Sequence, residues 1–251
     1  MIHKNTILIN EIISDLKLTL ANNLVAVFCI GSAESKYFCR AISDIDLFLV
    51  LDNITISDLE FLSKTRQDFL KKTGIPLGFK VHTYEEFNQT VKGKLQSRFL
   101  NDFTLYRIKT GIWKEKYTLQ KSLMQFSIPK TNAQAAAFLN LLSRINNARV
   151  NIVEKDYEFH CGLRDNNNVD ILHWAVSRTF DVFWYTESII GNILQSKWEL
   201  EKIENLNEKE IKILKELYST RHEFRFNDRL LEYATNLTEE RLKKTLGQVI
   251  C

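Results

Sequence analysis

Two hydrophobic periodicities alternate along the first half of the chain. Ile7, Ile12, Ile13, Leu16 and Leu20 recur near helical spacing, which predicts a helix over residues 5–21. The apolar run from Val25 to Ile30 is short and stops at Gly31-Ser32, so it predicts a buried strand. A second run, Asp44-Ile45-Asp46-Leu47-Phe48-Leu49-Val50-Leu51, predicts another. Ser57-x-x-Glu60 has the form of a capping box. It would open a helix with Leu59, Leu62, Phe69 and Leu70 on its apolar stripe and Gly74 as its stop. Beyond Pro76, residues 77–83 predict a third strand and residues 84–98 a helix. Residues 105–108 predict a fourth strand, turned at Thr110-Gly111. That order predicts an α/β domain with a small mixed sheet.

Past Pro129 only helical patterning remains. An alanine-rich segment from residue 133 and a second with Val169, Leu172, Val176, Thr179, Phe180 and Phe183 at spacings of three and four predict two long helices. Two more are predicted over 207–220 and 238–249. The expected division is an α/β domain over 1–125 followed by an all-α helical bundle over 126–251.

Composition narrows the function classes. The 251 residues are 45% hydrophobic and 26% charged, with only 2 Pro and 8 Gly, which excludes a linker-rich or disordered chain. A net charge of +3 suits an anionic ligand but is too small to indicate nucleic acid. Cys29, Cys39, Cys161 and Cys251 have no zinc-type spacing, and neither a disulfide framework nor a zinc site is expected. The N-terminus has no signal-peptide pattern and no apolar run is long enough to span a bilayer, so the expectation is a cytoplasmic protein with no membrane partner.

The candidate chemistry lies where the first two strands meet. Residues two apart on a strand share a face, so Asp44 and Asp46 would project together with Ile45 turned inward. Adjacent carboxylates repel unless a cation lies between them, and oxygen-only donors favour magnesium or manganese. The Gly31-Ser32 turn offers close backbone approach and a hydroxyl, both suited to a phosphate.

A strand, Gly-Ser, a short excursion and then Asp-x-Asp on the next strand resemble the signature of the polymerase-beta-like nucleotidyltransferase superfamily, over residues 20–110. The resemblance implies transfer of a nucleoside monophosphate from ATP or another NTP to a small hydroxylated acceptor, with Mg2+ or Mn2+. It is similar in layout to aminoglycoside and lincosamide adenylyltransferases. It implies Asp44 and Asp46 as catalytic metal ligands, Gly31 and Ser32 on the triphosphate with Lys36 and Arg40 nearby, and the helical domain as a wall of the substrate cleft. The superfamily's third carboxylate is expected on the strand over 77–83, which reads Leu-Gly-Phe-Lys-Val-His-Thr. Lys80 and His82 are the substitutes there, and Glu85 or Glu86 could enter from the next helix. A lysine in that place implies the alternative of a catalytically impaired relative that binds nucleotide or a protein partner. If this strand lies beside the Asp-x-Asp strand, the Lys80 ammonium comes within salt-bridge reach of one aspartate. A register shifted by one residue would present Phe79 instead.

Other polar clusters read as structural. The stretch 106–114 mixes aromatics with Arg107, Lys109 and Lys114, as an edge hairpin guarded by lysines would. On the second long helix, His173, Trp174, Trp184 and Tyr185 read as core and Arg178 pairs with Asp181. Arg221, His222, Glu223, Arg225 and Arg229 read as a charged helix face.

Overall fold

Leu24–Ile30 (β1) lies at the interior of a four-stranded mixed sheet in a computed structural model that describes residues 2–39, 43–154, 167–204, 206–223 and 228–249. The strand order is β3-β2-β1-β4, with β2 at Ile45–Leu51, β3 at Leu77–Thr83 and β4 at Lys114–Thr118. β1 pairs antiparallel with β2 and with β4, and β2 pairs parallel with β3. The central strands β1 and β2 are buried almost throughout, which is why they read as continuous apolar runs rather than alternating ones. β4 forms one edge, and its exposed Lys114 and Glu115 discourage further strand pairing.

Helices cover both faces of the sheet. Ile9, Ile12 and Leu16 of Ile2–Leu20 (α1), with Leu62 and Phe69 of Ile56–Thr73 (α2), pack against Val27, Leu47 and Leu49. On the opposite face, Phe87 of Tyr84–Val91 (α3) and Leu105 and Ile108 of Asp102–Lys109 (α4) pack against Phe28, Phe48 and Val50.

Three local expectations are corrected. α2 starts one residue before Ser57, and its capping box is Thr55 with Asp58: each accepts from the other's backbone N–H. Gly74 does end it, in the left-handed conformation at φ 69°. The helix from residue 84 stops at Val91, with Gly93 at φ 70° just beyond it. Residues 105–108 form the interior of helix α4, not a strand: Asn101 caps it by accepting from the Thr104 N–H at 3.1 Å. A stretch of four residues carries no usable period, and the cap decides it. The basic–aromatic stretch therefore divides between α4 and β4, and the fourth strand comes later than expected.

The chain divides into two compact units, Met1–Ala133 and Gln134–Cys251. Lys130–Glu154 (α5) leads into the second, whose other long helices are Asn167–Ile189 (α6), Glu208–Glu223 (α7) and Asp228–Val249 (α8). No strand occurs in this unit among the described residues, and α8 begins ten residues earlier than its sequence pattern suggested. No helix among the described residues is long and apolar enough to cross a membrane. Arg40, Cys161, Arg225 and Cys251 lie outside the described residues, and the side chains of His173, Trp174, Arg221, His222 and Glu223 lie outside them too.

Candidate functional site: a glycine-lined acid–base rim

Antiparallel pairing sets the end of β1 beside the start of β2, with Ile30 opposite Asp46. Parallel pairing sets Gly78 of β3 on the other side of Asp46. Asp46 shares its face with Phe48 and Val50, the face covered by α3 and α4, and its side chain remains 23% exposed at the rim. A Cβ at Gly78 would collide with Asp46 Oδ1, and one at Gly31 would lie 3.9 Å from Oδ2. The carboxylate thus fills the space a side chain at Gly78 would take, whereas a Cβ at Gly31 would meet it only in ordinary van der Waals contact. Gly31 also needs its own type, because its φ of 74° is left-handed.

Lys80 points to the same face two residues beyond Gly78, and its ammonium lies 3.6 Å from Asp46 Oδ1. The register that presents Lys80, and not Phe79, is the one adopted, and Phe79 packs towards the α1–α2 side. His82 lies four residues beyond Gly78, roughly 13 Å farther along the strand. Its ring stacks on Phe48 at 5.0 Å, with Nδ1 3.8 Å from Glu86 Oε2. Burial lowers its pKa below the ordinary 6.5 and outweighs the opposing pull of Glu86. The structure therefore brings Lys80 to Asp46 and leaves His82 elsewhere. Glu86 closes the capping box of α3 by accepting from the Thr83 N–H at 2.7 Å, and Glu85 accepts from Gln89. Both serve the helix's first turn.

Asp44 is exposed and precedes the first residue of β2, so the shared-face argument covers Asp46 but not Asp44. Ser43 beside it is buried, its hydroxyl accepting from the Cys39 N–H at 3.0 Å. After β1 the chain makes turns over residues 31–37. The Ser32 carbonyl accepts from the Ser35 N–H and hydroxyl, both at 2.9 Å. Lys36 is exposed, 5.0 Å from the Tyr37 ring centroid.

Sequence reasoning missed what anchors this turn. Glu34 is paired with Lys116 of β4 at 2.6 Å and accepts from the Thr6 hydroxyl at 3.3 Å, while the Asn5 side chain donates to the Ala33 carbonyl at 2.9 Å. An amide and a hydroxyl on the apolar flank of α1 were the available signal. Burial, reinforced by Glu34, pushes the neighbouring Cys29 thiol up to about 12, so it is not a nucleophile.

Asp46 already faces an ammonium, and the described residues hold no group of three or more His, Cys, Asp or Glu side chains arranged to bind a metal.

In the helical unit, Asp181 pairs with Arg178 at 3.0 Å, as the i, i+3 spacing suggested, and with Lys197 at 2.9 Å. Burial alone would raise its carboxyl; Lys197 and Arg178 outweigh that and hold it well below the usual range. The Phe180 ring packs tilted against Trp198, centroids 4.6 Å apart, and the Trp184 indole donates to the Leu194 carbonyl at 3.1 Å. Asp181 and these aromatics are engaged in packing. Glu187, fully buried, pairs with Arg241 at 2.6 Å and accepts from the Glu204 N–H at 3.0 Å, a network that local sequence spacing does not reveal.

The fold and site define an α/β unit with an acid–base rim, joined to a helical unit. No protein-family model and no curated protein sequence matches this chain.

Proposed function

We propose that the α/β unit is a nucleotidyltransferase-like module that binds a nucleoside triphosphate at the rim formed by Gly31, Ser32 and Asp46, with Lys80 in place of the third carboxylate. The Lys80–Asp46 contact at 3.6 Å carries this reading. An ammonium there neutralises the carboxylate and offers positive charge to phosphate oxygens, work that a metal does where three carboxylates meet. On this reading the chain binds nucleotide without needing magnesium and transfers poorly.

A second reading keeps full activity, the transfer of a nucleoside monophosphate to a small hydroxylated acceptor with Mg2+ or Mn2+. The exposure of Asp44 and the 32% exposure of Lys80 favour it, since the lysine has room to leave. Titration calorimetry with ATP, GTP, CTP and UTP, with and without magnesium, separates the two. Binding without magnesium, weakened in Lys80→Met, is expected. Magnesium-dependent binding lost in Asp44→Asn supports the transferase instead. No binding of any nucleotide refutes both.

A further inference from the structure

The segment between α3 and α4 holds a partly exposed aromatic ring on a hydrogen-bonded support. Leu100 is fully buried and Asn101 nearly so. The Ser97 N–H donates to the Leu100 carbonyl at 2.8 Å, the Leu100 N–H to the Ser97 hydroxyl at 3.1 Å, and the Asn101 side chain to the Ser97 carbonyl at 2.7 Å. The Thr104 hydroxyl donates to the carbonyl of Phe99 itself at 3.0 Å. The backbone is thus pinned on both sides of Phe99, a residue nonetheless 37% exposed.

An exposed apolar side chain is ordinary by itself. The surroundings of this one are specific. The Lys80 ammonium lies 5.4 Å from the Phe99 ring centroid and 3.6 Å from Asp46, so one cation touches both the ring and the rim carboxylate. The Arg98 guanidinium lies 5.1 Å from the same ring. A flat apolar surface with two cations beside it matches a ligand that joins a planar ring to a polyanion.

We propose that Phe99 is the stacking platform for the base of a nucleoside phosphate whose phosphates are met by Lys80 and Arg98. This rests on the nucleotide reading above and adds the base contact to it. Surface cation–ring contacts are weak, so an incoming base takes the place of one of them on the ring while the cation stays beside it to meet phosphate. Every base has a π-face and a phenyl ring has no hydrogen-bonding edge, so the platform discriminates little among bases and favours purines by stacking area.

The test compares the wild-type chain with Phe99→Ala and Phe99→Tyr by calorimetry, using ATP and inorganic tripolyphosphate as probes. Phe99→Ala is expected to weaken ATP binding about tenfold, the effect of deleting one stacking ring, and to leave tripolyphosphate within about twofold. Phe99→Tyr should retain ATP affinity. Unchanged ATP binding in Phe99→Ala overturns the proposal, as does an equal loss for both probes. If wild type binds ATP no more tightly than tripolyphosphate, the platform is refuted while the anion site stands. If it binds neither, the nucleotide reading fails and the platform with it.

Discussion

Adding one methyl group at Gly78 tests the geometry of the rim without assuming any ligand. Gly78 lies opposite Asp46 in the β2–β3 ladder, and its φ is outside the left-handed region, so alanine meets no backbone obstacle. The obstacle is Asp46 Oδ1, with Lys80 Nζ 3.9 Å from the new carbon. Overpacking of this kind costs about 1–3 kcal/mol, against a gain of roughly 0.5–1 kcal/mol from removing glycine's freedom inside a strand. The expected net loss for Gly78→Ala is about 1 kcal/mol. In an Asp46→Ala background the collision is gone, so the same change should stabilise by roughly 0.5–1 kcal/mol. The sign reversal corresponds to a coupling of about 1–3 kcal/mol, well outside the roughly 0.5 kcal/mol scatter of independent sites. The assay is denaturant-dependent hydrogen exchange of peptides from β2 and β3, which follows the α/β unit apart from the helical one. A Gly78→Ala cost that is the same in both backgrounds would falsify the packing of Asp46 over Gly78.

Lys80→Asp removes the ammonium and supplies the absent carboxylate. Magnesium affinity by calorimetry should rise about tenfold, well inside the roughly 4 kcal/mol that one charge at 4 Å contributes at an intermediate dielectric, and an unchanged affinity rejects Lys80 as the blocking group. Arg241→Met leaves the Glu187 carboxylate buried without its cation and should cost about 3–5 kcal/mol by denaturant melt, most of it recovered by adding Glu187→Gln; a loss under about 1 kcal/mol contradicts the buried pair. Asp181 is held below its unfolded value of 3.8, so its ion pairs stabilise fully above that pH and are lost as pH falls towards the folded value. Asp181→Asn should flatten that acid limb. His82 is lowered from 6.5, so the unfolded chain binds the extra proton first and stability declines as pH drops below 6.5. His82→Phe should abolish that decline, and an unaltered pH profile in either variant removes that group as its cause.

The sequence alone determined the elements that rest on local chemistry. β1 and β2 were legible because uninterrupted apolar runs bounded by turn residues have few alternatives, and β3 because Pro76 opens it and helical patterning follows from Tyr84. The helical second half was legible from period alone. The helix over 102–109 was not, since a short buried run fits either period and its Asn101 cap outweighs the strand-like composition. Tertiary structure decided the rim. Whether Lys80 or Phe79 faces Asp46 turns on a one-residue register, which pairing across β2 and β3 fixes and no local pattern encodes. Gly78 was visible as a strand glycine, but its reason, the Asp46 carboxylate lying over it, exists only when two strands are adjacent. The Glu34–Lys116 and Glu187–Arg241 pairs join residues 82 and 54 positions apart, separations over which charge patterning along a chain carries no information about contact.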